Sequence, residues 1–388
     1  CIRDRRLTLP GEAERSVELS EGRIALDVAG SLLTRSLQMT RLQLKGLDLD
    51  GELGADGSLR IRGFDGGDTR LGEWLEEFLG NVERVALDDI HLELALPGGE
   101  QRGFDLDLAL SREGSRRLLE GSLSSSRGLL VTALAEGLGN PFEPESFAGQ
   151  LYLDIAAVDV GALADLLRER FRSQQLNGTA GLELWSTWDR GEQEVLLRLD
   201  MNDVVLSGAD ASWQVPLQRL ALDARLERRQ DSLAVSVADL EMARSGIVAR
   251  VPRLQLDLRG ETLNLRAEAL VLEPLSELLA DSVSALPPAA VDLLNTLKPR
   301  GEMSAVRLDV ADITAPGVGW QLRANFEDLA VDAWHGAPGV SGARGYTELG
   351  PGSGYVVLDS QQFSMAFPTV YEQSLDDDDF EGTIHIDW

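Results

Sequence analysis

The chain has 388 residues, 43% of them hydrophobic, and a formal net charge of −29. A surface this acidic repels phosphate backbones, which excludes nucleic acid as a partner class. One cysteine excludes an internal disulfide, and no apolar run approaches the ~20 residues that span a bilayer as a helix.

The chain opens at Cys1 with no initiating Met and no visible signal peptide. Cys1 reads as the boundary of a fragment or as a lipidated terminus, and the fragment reading is favoured. The first alternating run follows: Ile24, Leu26 and Val28 between Arg23, Ala25 and Asp27. A period of two predicts a strand with one wet face and one apolar face. Next come Leu42-Gln-Leu44 and Leu47-Asp-Leu49, then Val85 and Leu87 before Ile90, Leu92 and Leu94. In these runs the alternation skips a beat. A skipped beat flips the face, as at a bulge or a tight bend, and predicts either short hairpins or long strands that curl.

Between these runs, Leu71, Trp74, Leu75, Phe78 and Leu79 recur at helical spacing and predict a helix at about 70–80. Strands resume with Leu106 and Leu108, then Leu151, Leu153 and Ile155. A second helix is predicted at about 160–172. The period of two returns in Leu197 and Leu199, Leu222 and Leu226, Val235 and Val237, Leu256 and Leu258, and Leu263 and Leu265. Pro274 and Pro288 each suit the first turn of a helix, so a helical interlude is predicted at about 274–297. The last strands carry Val306 and Leu308, Leu322 and Phe326, Val356 and Leu358, and Phe363 and Met365. The chain stops at Trp388 directly after an alternating run, which reads as a cut through a longer protein. Turn signals such as Asp189-Arg190-Gly191, Arg259-Gly260 and Gly350-Pro-Gly352 fall between the strands. Strands, helix, strands recur at roughly 90–115 residues, a divergent internal repeat. No Ser/Gly-rich or Pro-rich linker divides the chain, so residues 1–388 read as one elongated, mainly antiparallel β body.

Chemistry is hard to place. His91 and His385 fall on the polar phase of strands and His335 in a Gly/Pro-rich loop; each reads as a surface histidine. No metal, nucleophile or phosphate-loop motif is present, and neither a cofactor nor a metal is expected. Asp376 to Asp379 lack the spaced ligands of a calcium loop and read as a solvated acidic turn. Trp185 and Trp188 lie three apart, so a strand points them to opposite faces. The apolar phase remains. Roughly two dozen strands at ~4.8 Å each make a sheet of order 100 Å, which must curl or split. With few helices to cover it, such a sheet leaves an apolar trough, and a soluble protein rarely exposes that much apolar surface without a ligand or partner.

The letters carry a resemblance as well. Phe147-Ala-Gly-Gln-Leu-Tyr-Leu-Asp-Ile155 followed by Val158-Asp159-Val160, and Leu176-Asn-Gly178 followed by Leu184-Trp185 and Trp188-Asp-Arg-Gly191, resemble segments of the YhdP family. So do Leu286-Pro to Leu297-Lys-Pro-Arg-Gly301, Trp320-Gln-Leu to Phe326, Ala337-Pro-Gly339 to Gly345, and Leu358-Asp-Ser360 to Phe367-Pro368, in that order. The similarity covers roughly 20–388. The family belongs to the AsmA-like group, with TamB. The resemblance implies a twisted, repeating β-groove with an apolar channel and a few short amphipathic helices. It implies a Gram-negative envelope protein, held in the inner membrane by an N-terminal anchor and reaching through the periplasm. The implied partner is phospholipid, and other envelope proteins are further candidates; the implied activity is lipid transfer without catalysis. Ile24, Leu26 and Val28, and the strand residues named above from Leu106 and Leu108 to Phe363 and Met365, are then expected to line the groove. Two rival expectations are an envelope scaffold that binds protein strands by β-augmentation and a glycan-active β enzyme with paired carboxylates.

Overall fold

The computed structural model describes residues 2–8, 16–26, 39–54, 59–61, 83–96, 101–125, 128–139, 145–159, 174–208, 214–280, 288–314, 319–334, 337–367 and 373–387. Val28, His335 and the helices expected at 70–80 and 160–172 lie outside them. Among the described residues the fold is mainly β, as the alternation predicts, with twenty-two strands and two short helices. The chain divides into two compact units, Cys1–Leu197 and Arg198–Trp388.

The first unit holds β1 (Ile2–Thr8), β2 (Ser16–Leu26), β3 (Met39–Leu53), β4 (Leu59–Ile61), β5 (Arg84–Ala95), β6 (Gln101–Glu113), β7 (Arg116–Ser125), β8 (Leu130–Leu138), β9 (Ala148–Asp159) and β10 (Gln174–Asp189). Neighbours in sequence pair antiparallel from β1 to β4 and again from β5 to β10, and β3 also pairs with β5 in parallel. A parallel pair needs a crossover of a dozen or more residues, and the stretch between Leu53 and Arg84 is long enough to supply it.

The division falls within β11 (Glu192–Gly208). The second unit continues with β12 (Gln214–Arg229), β13 (Ser232–Arg244), β14 (Ile247–Arg259), β15 (Thr262–Val271), helices α1 (Leu272–Ala280) and α2 (Pro288–Leu297), then β16 (Arg300–Val310), β17 (Trp320–Val331), β18 (Gly339–Gly350), β19 (Ser353–Ser360), β20 (Phe363–Ala366), β21 (Leu375–Asp377) and β22 (Phe380–Asp387). From β12 to β19 each strand pairs antiparallel with the next, and β22 returns to pair with β19. The tight hairpins have a local cause. Between β13 and β14, Ser245 and Gly246 both hold positive φ (52° and 86°), the turn whose twist matches the strands it joins. Both helices start where the prolines predict, and α1 packs on β14, β15 and β16 with Leu278 buried.

The skipped beats have one structural cause. Gly46, Asp89 and Asp203 sit in the gaps at Leu44/Leu47, Leu87/Ile90 and Met201/Val204, and all three are left-handed, with φ of 60°, 58° and 51°. The same step recurs at Asp239, Ala305, Asp328 and Gly342. At Asp89, Asp239, Ala305, Asp328 and Gly342 the register shifts, as at a bulge: the extra residue would flip the face, and the left-handed turn restores it. The result is visible in the packing. Leu44 and Leu47 share one cluster with Leu87 and Ile90, while Met303, Phe326, Leu329, Val340 and Ala343 share another. The strand therefore bends while its apolar side stays continuous. In the second unit Asp239 lies on β13, while Ala305, Asp328 and Gly342 fall on the consecutive strands β16, β17 and β18, a line of bends that marks a crease.

Aspartate suits the position because its short polar side chain tolerates the left-handed region, where a β-branched residue does not. Asp239→Val is expected to cost about 1–2 kcal/mol and Asp239→Gly close to nothing, measured by urea unfolding. Equal losses in the two variants would mean that the backbone conformation is not what the residue supplies.

Candidate functional site

The second unit shows how alternation becomes a surface. Leu226, Val235, Leu256, Leu265, Leu308 and Leu322 are successive cross-strand partners, a row of six apolar side chains across six strands. A second row joins Leu258, Leu263, Val310 and Trp320, and a third joins Val237, Leu254, Ala267 and Val306. Between them, facing the other way, runs a polar row: Arg225, Ser236, Gln255, Arg266, Arg307, Arg323, Glu348, Tyr355 and His385. Direct partners share a face, so each apolar row reinforces itself. Leu222 lies in phase with Ala224 and Leu226 on the apolar side. On β11, Arg198 and Asp200 pair with Asp223 and Arg219 on the polar side at 3.1 and 2.9 Å, which leaves Leu197 and Leu199 on the apolar one.

Burial along this face is uneven. At the crease Val306, Ala267 and Ala324 form a closed cluster. Beside it Phe326, Leu358 and Phe363 do the same, with Val356 and Met365 packed against them. Away from the crease Leu226, Val235, Leu256, Leu265, Leu308 and Leu322 are only half-buried. Part of the face is thus protein core, and part is apolar surface within reach of a ligand.

The first unit repeats this contrast. Phe104 and Ile155 are buried with Leu94, Leu96 and Leu129, and Leu153 packs beside them. Further along β5 to β10 lies a groove of about 630 Å³. Its lining takes in the register row Val85, Leu110, Leu119, Ala135, Leu151 and Ser186, of which Val85, Leu110 and Ser186 are buried, and the exposed Leu118, Leu134 and Trp185 of the opposite parity. Leu106 and Leu108 lie in phase with Leu110 on β6. Ile24 joins this row through Leu42, beyond the part of β2 that β1 covers, and is 59% exposed. Leu26 lies at the end of β2.

The polar candidates are accounted for by local bonds. His91 bonds Asp105 at 2.8 Å on the exposed side, and that bond is the chief cause of its raised pKa. His385 packs against the ring of Tyr355. Asp376 accepts bonds from the hydroxyls of Ser364 and Ser374, which lower its pKa. No group of three or more His, Cys, Asp or Glu is poised around a metal among the described residues. Glu348 gathers bonds from Tyr355, Tyr346 and Gln321 on the polar face, a closed network facing away from the apolar rows. Trp185 and Trp188 do take opposite faces: Trp185 packs on Tyr152 with ring centroids 5.3 Å apart, Trp188 on Phe147 at 6.1 Å. The polar side of β7 to β10 is less polar than alternation implies, since Leu118, Leu130, Leu134, Leu138 and Trp185 are exposed there. No described helix is long and apolar enough to cross a membrane.

Comparison with known proteins gives the same direction. The family model described as YhdP protein matches residues 5–388. The intermembrane phospholipid transporter YhdP of Escherichia coli (strain K12) is 26% identical over 220 residues, which make up 52% of this chain and 17% of that relative. The match thus spans about a sixth of the relative's length. No solved structure matches.

Proposed function

Because the chain belongs to the YhdP family, we propose that its apolar face is a segment of a conduit for phospholipid between the inner and outer membranes. The observation that carries this reading is the set of apolar rows in register whose members stay half-buried away from the crease. Acyl chains would lie along these rows while headgroups face water. Removing apolar area from water drives such binding at ~25 cal/mol per Å². It needs no specific polar site. Movement requires near-equal affinity at successive positions, and a lining of Leu, Val and Ile gives each position much the same chemistry. In this reading the protein acts in the periplasm, is tethered to the inner membrane at full length, performs no catalysis and needs no cofactor. The name of the Escherichia coli relative supports the choice of phospholipid as cargo.

Photo-crosslinking tests it. A photoreactive residue at Leu265 is expected to capture phospholipid from membranes, and one at its neighbour Arg266, on the polar face, is not. Equal capture at both, or capture of protein at Leu265, would remove the conduit reading and favour a scaffold.

A further inference from the structure

The groove along β5 to β10 opens on the polar side of the sheet, away from the apolar rows. Each of these six strands gives it two residues of the polar side and, between them, one of the apolar side. Leu87, Leu108 and Leu153, the next apolar-side residues on three of the strands, do not line it. Two rows of polar-side residues are therefore its walls, and the main chain between them is its floor. One wall runs through Leu134, Tyr152 and Trp185, direct cross-strand partners. The other runs through Leu118, Glu136 and Gln150. Leu118, Leu134 and Trp185 are 40%, 43% and 40% exposed. Large apolar side chains gathered on the solvated face of a sheet mark a site for a partner.

Carboxylates flank the apolar wall. Asp154 and Glu183 are direct partners, each two residues from Tyr152 or Trp185 and on the same face. Like charges so placed repel each other. Burial raises the pKa of the Tyr152 phenol, and the charges of Asp154 and Glu183 raise it further. Glu120 extends the row beyond Leu134. The rings of Tyr152 and Trp185 pack together beside these acids, with centroids 5.3 Å apart. Carboxylates and the faces of aromatic rings both attract a cation.

We propose that this groove docks an extended apolar segment of a partner protein, one of whose lysines or arginines sits at the Tyr152–Trp185 pair against Asp154 and Glu183. The walls stand two residues apart along each strand, about 7 Å, too close for a helix of about 10 Å diameter. Six strands at ~4.8 Å spacing make the groove about 24 Å long, the reach of roughly seven extended residues. Carboxylates along the wall repel the phosphate of a phospholipid, and a second copy of the chain carries the same net charge of −29, so charge selects a cationic partner. The groove lies on the opposite face from the proposed conduit and does not depend on it.

The test titrates the whole chain with three short labelled peptides, which alternate leucine with lysine, leucine with glutamate, and serine with lysine. The leucine–lysine peptide is expected to bind at least about tenfold more tightly than either of the others, and to weaken as salt rises. Trp185→Ser is expected to weaken it at least about tenfold. Asp154→Asn combined with Glu183→Gln is expected to weaken it and to remove most of the salt dependence. The melting temperature of that variant should not fall, because two repelling carboxylates are gone. A photoreactive residue at Leu134 should capture the peptide, and one at Leu153, on the opposite face, should not. Equal binding of either other peptide, no loss in Trp185→Ser, or capture at Leu153 overturns the site. Unchanged affinity in the carboxylate variant overturns it even where Trp185→Ser fails to fold. Phospholipid captured at Leu134 makes the groove a lipid site, and self-association that Trp185→Ser abolishes makes it an interface between copies; either result overturns the proposal.

Discussion

Leu256→Asp is expected to abolish lipid retention while leaving the sheet folded. Leu256 is half-buried, between Val235 and Leu265 in the central apolar row. In the lipid-free protein a carboxylate there still reaches water, so the variant loses only part of one leucine's burial, about 1–2 kcal/mol. Under an acyl chain the same carboxylate has no partner, and its desolvation costs several kcal/mol. Each 1.4 kcal/mol is a factor of ten in affinity, so bound lipid should fall at least about tenfold. Leu199→Asp should behave alike, and Gln255→Asp, on the polar row, should change nothing. Circular dichroism and urea unfolding monitor the fold, and lipid extraction monitors the cargo. If Leu256→Asp unfolds the protein outright, that row is closed core.

Phe326→Ala is expected to do the reverse. Phe326 is 4% exposed and packs with Ala343, Leu358 and Phe363 beside the crease. It lies opposite Gly345, where a side chain would run into the carbonyl of Val357 and the Phe326 ring. Truncation leaves a cavity in a closed cluster and should cost about 3–5 kcal/mol, read from urea unfolding. Under conditions where the variant stays folded, its lipid retention should match the unaltered chain. A loss under about 1 kcal/mol would mean that the crease is no better packed than the open rows. Together the two variants separate what the apolar face does for stability from what it offers a ligand.

Much of this was legible from the letters. The alternation marks the strands because side-chain direction has a period of two, and Pro274 and Pro288 mark the helices because proline suits a first turn. The skipped beats show in the letters at Leu44/Leu47 and Leu87/Ile90, but their consequence does not. An aspartate on a wet face and an aspartate in a left-handed bulge look identical in sequence, so the continuity of the apolar side emerges only from the backbone. Register is equally hidden: nothing in Leu256 names Leu265 and Val235 as its partners. The division between core and open face depends on where the sheet creases, which is a property of many strands at once. The parallel pairing of β3 with β5 depends on a crossover of about thirty residues whose return path no local pattern specifies.

Native mass spectrometry of the purified chain, followed by extraction of whatever it carries, tests the central claim most directly. The account predicts phospholipid bound to the unaltered chain and lost from Leu256→Asp. A chain that carries no phospholipid after exposure to membranes, with its apolar rows filled by its own side chains, would contradict it.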